Sequence, residues 1–570
     1  MIERIIDFSA RNRFLIFLLV AVAAVGGWIA LKNIPIDAIP DLSDTQVIVF
    51  SRWDRSPDII EDQVTYPIIT ALLGAPNVKD IRGFSDFGYS YVYVIFEDGT
   101  DVYWARSRVL EYLSKIMALL PEGVRTELGP DATGVGWVFQ YALVDRSGQH
   151  SLAELRSLQD WFLRYVLQST PGVAEVAAVG GFQKQYQVKL NPNALLAYKI
   201  PIQTVVQSIK ESNNDVGARL IEIAGAEYMI RGRGYVKNRQ DIERIVVGDQ
   251  NGTPVYVKNL GTVTTGPEIR RGVADLDGEG DAVGGVVIMR YGENTPKVID
   301  AVKEKLKEIT PSLPPGVELV VTYDRSDLIH RAIATLKHDL VLEMIIVSFV
   351  ILIFLMHIPS SLIPIVTLPL AVLMSFIPMY FMKISSNIMS LGGIAIAIGA
   401  MVDAAIVVVE NAHKHMERWD RDGKKEDVKE VVIRAIKEVG PASFYSLLVI
   451  AVAFFPIFAL EAQEGRLFKP LAYTKNLSMI VAALLAITLD PALRVSLTYF
   501  SPRYFKPQWL SKARNAVLVG KMYPETEHPI SRWLFKYYGP VVNWVVDHRK
   551  KVIYLAVGAM FATIPAFFLL

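Results

Sequence analysis

The 570-residue chain contains no cysteine. Disulfides, thiolate metal sites and cysteine nucleophiles are therefore excluded. Charge of one sign is not in excess either: 59 Lys and Arg stand against 58 Asp and Glu, for a net charge of +1. Nothing in that balance suggests nucleic acid as a partner. No Gly-rich loop ends in Lys-Ser or Lys-Thr, so ATP hydrolysis is not supported and energy would have to come from an ion gradient. No catalytic constellation is visible, so the expected chain is not an enzyme, and no cofactor is expected. Histidine is scarce, with 8 residues. His413 and His415 stand two apart in a basic segment, where solvation is the expectation and a metal site is not.

What the chain has is apolar surface. Hydrophobic residues make up 52% and the mean hydropathy is +0.30, high for a soluble protein. Charged residues still reach 21%, so part of the chain must face water. A spanning helix needs roughly 20 mostly apolar residues. Phe14–Leu31 is such a run, preceded by Arg4, Arg11 and Arg13 and followed by Lys32 and Asn33 rather than a small-x-small site. It reads as an uncleaved anchor rather than a signal peptide. The next runs come much later: Leu340–Met356, Leu362–Met382, Ile388–Val409, Ser443–Leu460, Leu471–Leu489 and Val552–Leu570. The basic segments His413–Lys437 and Arg503–Lys551 belong in the cytoplasm by the positive-inside rule. The N-terminus then lies there too, and the 33–339 region falls outside, in a bacterial periplasm. The expected domains are 1–32, cytoplasmic start and first helix; 33–339, periplasmic region; 340–500, helices two to six with a basic cytoplasmic loop 412–438; 501–551, cytoplasmic loop; and 552–570, seventh helix.

The 33–339 region reads as soluble α/β. Alternating strands such as Tyr91–Phe96 intersperse with amphipathic helices such as Val102–Leu119 and Leu152–Gln168. Two stretches resemble each other, APNVKDI from Ala75 and TPGVAEV from Thr170. Each follows a helix, and each leads through a glycine-containing turn to a strand, Tyr91–Phe96 or Gln185–Leu190. The pattern predicts duplicated βαββ-type subdomains. A third unit, strand Ala282–Met289, helix Pro296–Ile309 and strand Val317–Tyr323, is expected to complete the first from a distance.

Asp403 lies deep in the third of the later apolar runs, GGIAIAIGAMVDAAIVVVENAHK from Gly392. A carboxylate at mid-bilayer costs about 2.5–3.5 kcal/mol on insertion scales, so it is expected to face a bundle interior and to have a role. Burial would suit it to taking up and releasing a proton; the alternative is a packing carboxyl bonded to a neighbouring helix. Gly392, Gly393, Ala395, Gly399, Ala400, Ala404 and Ala405 would allow close helix packing around it. Glu410, on the same face, reads as an interfacial charge. Asp490 and Arg494, one turn apart, read as a local pair.

These residues resemble a family. The Asp403 segment is similar to the fourth transmembrane helix of the heavy-metal branch of the resistance-nodulation-division (RND) pumps. Within that branch it resembles the monovalent copper/silver exporters of the CusA type. Divalent-metal members carry an earlier acidic residue in an Asp-Phe-Gly context, where this chain has Ala397-Ile398-Gly399. Matching stretches are PIDAIPDLSD (35–44), YVYVIFEDGT (91–100), WARSRVLEY (104–112), LGPDATGVGW (128–137), LQDWF (158–162) and EGRLF (464–468). The resemblance implies an RND transporter fold, an α-helical membrane bundle plus an α/β periplasmic porter domain, of which this chain is the N-terminal half. It implies a homotrimer in the inner membrane, in contact with membrane lipid, working with a periplasmic adaptor (membrane fusion protein) and an outer-membrane channel. It makes Asp403 the proton-relay residue and a metal cation, Cu(I) or Ag(I), the substrate. Thioethers suit soft monovalent copper, and Met389, Met401 and Met479 fall on the implied metal path; packing is their alternative role. Val408, Arg494 and Ile269 stand where those exporters have methionine. The C-terminal half, with the cleft methionines, is expected either on a second polypeptide or on a longer chain of which this one is a truncation or fragment. Two other readings remain open: an RND-type drug, lipid or protein-translocation relative, and a non-transporting fragment.

Overall fold

The long apolar runs become helices and the alternating ones become strands in a computed structural model. It describes the whole chain except Arg271, Lys424, residues 501–507, 509–514 and 516–528, and Leu570. The chain divides into two compact units, one of residues 1–47, 51–125 and 327–570, the other of 48–50 and 126–326.

The first unit holds the membrane helices. A short amphipathic helix α1 (Ile2–Arg11) precedes α2 (Arg13–Asn33), and α3 (Arg325–Leu355), α4 (Ile358–Phe381), α5 (Ile388–Arg421), α6 (Val428–Val452) and α7 (Ala462–Ile487) follow. Among the described residues, six helices are long and apolar enough to cross a membrane: α2 to α5, α6 with its following turn to Ala459, and α7. Beyond them come α8 (Leu489–Leu497), α9 (Pro529–Asp547) and α10 (Arg549–Leu569), the last covering the run read as a seventh span. Two segments expected as loops from composition are largely helical among their described residues. Within the basic segment 412–438, α5 runs to Arg421 and α6 starts at Val428, where Asp427 caps it through Lys429 N. Of 501–551, most of 501–528 lies outside the described residues and 529–547 is α9.

Small residues set the closest helix approaches. A Cβ on Gly27 of α2 would lie 2.4 Å from the Leu373 carbonyl oxygen of α4. One on Gly393 of α5 would lie 2.3 Å from Thr474 Oγ1 and 2.4 Å from Leu471 O of α7. Thr474 Oγ1 donates to Ser390 O at 2.7 Å across the same contact. The helices α2, α4, α5, α6 and α7 share one buried apolar cluster that includes Ile34, Met379, Ile394, Ile398, Leu447 and Met479.

The soluble part of this unit contains the antiparallel hairpin β1 (Val78–Asp86) and β2 (Tyr89–Phe96), with Gly83 opposite Val92. The second unit is built on an antiparallel sheet of β3 (Trp137–Asp145), β4 (Val173–Gly180), β7 (Val283–Met289) and β8 (Val317–Asp324), in the order β8-β3-β7-β4. Between them in sequence, β5 (Lys184–Leu190) pairs with β6 (Gly261–Pro267) in a separate ribbon. Every residue of β7 is buried, which is why VGGVVIM runs apolar without alternation.

The duplication has a structural counterpart. Each copy's helical segment contains one π-turn, Glu61–Thr65 in the first and Gln159–Leu163 in the second. Each then turns through a left-handed residue at the same motif position, Asn77 (φ 59°) and Gly172 (φ 85°). The copies differ afterwards. In the first, the two strands form a hairpin; in the second, β4 and β5 do not pair, and β7 takes the place beside β4. The third unit therefore completes the second copy, where the sequence led us to expect that it would complete the first. Its fully apolar strand needs cover on both faces, and the helix Thr295–Ile309 supplies Val298, Ile299, Val302 and Leu306 to the same core as β3 and β4.

The turn after β3 makes a pH test. Asp145 accepts from Ser147 Oγ (2.6 Å), Ser147 N (2.8 Å) and His150 N (2.7 Å). The Ser147 hydroxyl and these amides hold its carboxyl down at about 2, against an ordinary 3.8. A depressed carboxyl stabilises the fold above its unfolded pKa and ceases to do so as pH falls through the folded one. The 145–150 turn should therefore keep its amide-exchange protection down to pH 4 and lose it only as the pH approaches 2.

Candidate proton and cargo site in the membrane helices

The helix that carries Asp403 starts on a capping box. Asn387 accepts from Ser390 N at 2.9 Å, and Ser390 Oγ accepts from Asn387 N at 2.7 Å. Such reciprocal capping satisfies amides that a helix start leaves open, essential where water is excluded. Along α5, Leu391, Ile394, Ala397, Ile398, Met401 and Val408 are buried against neighbouring helices. The opposite stripe, Ile388, Ile396, Gly399, Asp403, Val407, Glu410 and Lys414, is exposed. Among the described residues Asp403 makes no hydrogen bond or ion pair. The sequence reading put it inward; within this chain it points outward. Of the glycines expected to admit neighbours, Gly393 does so, while a Cβ on Gly392 or Gly399 would meet nothing within 4 Å. Glu410 pairs with Lys414 at 2.6 Å on the same exposed face.

The methionines separate. Met401 and Met479 are buried in the same apolar cluster, whereas Met389 is only partly buried and stands outside it. Met401 also lines a pocket with Thr367, Ala405, Val408, Ala482 and Asp490. Asp490 is held by Arg494 in a two-pronged ion pair, Nε to Oδ2 at 2.6 Å and Nη2 to Oδ1 at 2.9 Å. Arg494 Nη2 also donates to Ala405 O of α5 at 3.3 Å, and the two side chains are 1% and 5% exposed. The local pair expected from their spacing is therefore present and fully buried.

Two polar features escaped the sequence reading. Lys475, in the middle of α7, is 1% exposed; its Nζ donates to Ile450 O at 2.8 Å and sits 3.5 Å over the Phe454 ring. It meets the C-terminal end of α6, where the helix macrodipole favours a cation. A lysine within an apolar run was the available signal. Secondly, His413 belongs to α5 and is not solvated. The Ser360 hydroxyl lies 2.9 Å from His413 Nε2 and 2.7 Å from Nδ1 of the buried His357, with the two rings edge to face. His415 instead meets Glu438 at 2.7 Å. Fifty-odd residues separate the two imidazoles, so spacing offered no sign of their meeting. Among the described residues no group of three or more His, Asp or Glu side chains is placed to hold a metal ion.

The family model described as AcrB/AcrD/AcrF matches residues 5–570. The chain belongs to that family. It is 50% identical over 563 residues to the cation efflux system protein CusA of Escherichia coli K12, covering 98% of this chain and 52% of CusA. SilA of Salmonella typhimurium is likewise 50% identical, over 99% of this chain and 53% of its own length. The cobalt-zinc-cadmium resistance protein CzcA of Cupriavidus metallidurans is 35% identical, over 95% of this chain and half of its own. Among solved structures, a heavy metal efflux pump in a second crystal form superposes with a TM-score of 0.79 at 28% identity, over 97% of this chain and 51% of that one. The fold is thus that of RND heavy-metal pumps, and the chain spans about half the length of the relatives it matches. Such membership, with its apolar helices, makes it a multi-pass chain of the inner membrane.

Proposed function

We propose that this chain is the proton-carrying portion of an inner-membrane efflux pump for heavy-metal cations, Cu(I) and Ag(I) in the first place, with Asp403 taking up and releasing the driving proton. The observation that carries the reading is the position of Asp403 on an open face of a membrane-crossing helix, one turn from Gly399. A carboxylate facing lipid is costly, so this face is one that another polar helix covers in the working pump. The copper/silver assignment draws on 50% identity to CusA against 35% to CzcA. It is supported by two buried thioethers, Met401 and Met479, in one cluster, ligands suited to soft monovalent ions; Met389 would act separately. The working assembly is a trimer completed by the second half of the pump, a periplasmic adaptor and an outer-membrane channel.

A strain lacking the chain should become sensitive to silver and copper salts while its tolerance of detergents and lipophilic drugs stays unchanged. Sensitisation to drugs alone would favour the drug- or lipid-exporting relatives instead. Gly399 offers a sharper test of the covered face. Its substitution by Leu meets open space within this chain and replaces a poor helix former by a good one. Gly399→Leu should therefore accumulate in the membrane at wild-type levels yet lose silver resistance, because the covering helix can no longer approach. Wild-type resistance in that variant would argue that nothing packs there.

A further inference from the structure

Three of the sequence stretches that match the pump family meet at one point: PIDAIPDLSD, the EDGT end of YVYVIFEDGT, and EGRLF. Arg466, in the second turn of α7, donates through Nη2 to Asp44 at 2.9 Å and to Asp98, and through Nη1 to Leu42 O at 3.0 Å. Its side chain is 17% exposed. A cation near a helix N-terminus opposes the macrodipole, so the two carboxylates are needed to hold it there. Asp98 does a second job. Its other oxygen accepts from Ala462 N at 3.2 Å, at the first residue of α7, which has a left-handed backbone (φ 49°). That conformation is disfavoured for a non-glycine residue, so the start of α7 is a strained corner tied down by Asp98.

The other end of the Pro35–Asp44 strip is tied to the helix of Asp403. Ser386 N donates to Pro35 O at 2.8 Å, Asp37 N to Ser386 O at 3.1 Å and Ile388 N to Ala38 O at 3.1 Å. These bonds fasten the strip to the capping box that starts α5. Past Asp44 the chain runs straight into the soluble strand Gln46–Arg52, and Thr45 O accepts from Phe96 N at 2.8 Å. The strip is thus a strap running from the top of the proton-carrying helix to the soluble hairpin, with Arg466 of a second membrane helix clamped on its far end.

We infer that Arg466, through Asp44 and Asp98, is the positioning residue that couples movement of the Asp403 helix to the soluble part of the same unit. The inference rests on the proton-driven efflux reading. When protonation of Asp403 shifts α5 against α7, the strap and the clamp convert that shift into displacement of the loop after β2. Without the clamp the membrane helices still exchange protons, but the soluble part no longer follows.

The test uses the complete pump purified from its native strain and reconstituted in vesicles, with an imposed pH gradient and silver nitrate as the probe in chloride-free buffer. Proton flux is read with an entrapped dye and silver movement separately. Arg466→Gln and Asp98→Asn should both retain proton flux and lose silver transport to the level of protein-free vesicles. Arg466→Lys, which keeps a cation but not the fork, should recover part of it. Loss of proton and silver movement together, in protein that still assembles, would make the clamp a folding element and overturn the inference, as would unchanged silver transport. Asp403→Asn run in parallel keeps the two ideas apart: if it changes neither flux, the proton-relay reading fails whatever Arg466 does.

Discussion

Asp403→Asn should abolish metal resistance while leaving the protein in the membrane. Asparagine keeps the shape of the side chain and removes the proton site. The wild-type carboxylate makes no bond to a described residue of this chain, so the substitution breaks no contact within it and should not cost stability there. A neutral amide at that depth adds nothing to the cost of placing a carboxylate there. Loss of function without loss of protein is therefore the signature of a proton carrier. The expected silver and copper tolerance is that of the deletion strain, with immunoblots of membrane fractions unchanged. Asp403→Glu should retain part of the resistance, since it keeps a titratable group displaced by one methylene. A strain carrying Asp403→Asn with undiminished resistance would remove Asp403 from the mechanism.

The second large effect is on stability. Asp490→Leu leaves the Arg494 guanidinium, 1% exposed, without its counter-charge inside the bundle. Breaking a buried pair from one side costs about 3–5 kcal/mol, because the remaining charge stays desolvated. Against a typical net stability of about 5–15 kcal/mol, that loss should show as a strongly lowered melting temperature in detergent and reduced protein in the membrane. Replacing both partners by apolar residues, Asp490→Leu with Arg494→Met, removes the stranded charge and should restore most of the stability. If the single and double variants melt alike, the pair is not the buried unit that its geometry describes. Because Arg494 Nη2 also reaches Ala405 O on the helix of Asp403, transport by the stable double variant reports whether the pair also sets the position of α5.

Composition and period carried a good deal of this molecule. Apolar runs long enough to span a bilayer must form helices there, since no other open structure satisfies the backbone in lipid; the membrane helices were therefore legible one by one. So was the repeated turn at APNV and TPGV, which the structure makes through a left-handed residue at Asn77 and Gly172. Strand partnership was not. Alternation says which face of a strand is buried but not which strand lies beside it, and β7 joined the second copy through contacts more than a hundred residues apart in sequence. The sequence also made Asp403 conspicuous by chemistry alone, as an acid among apolar residues. Which way it faced depended on how five helices packed, and packing turned the small residues Gly393 inward and Gly399 outward on the same helix. The same holds for the meeting of His357 with His413, the seating of Lys475 on the end of α6, and the grip of Arg466 on Asp44 and Asp98. Local chemistry is written residue by residue, so the sequence by itself determined the membrane helices, the α/β character of the soluble region and the candidate proton carrier. Long-range neighbours are chosen by shape and by the need to pair every buried charge, so only the tertiary structure decided which of these residues act on one another.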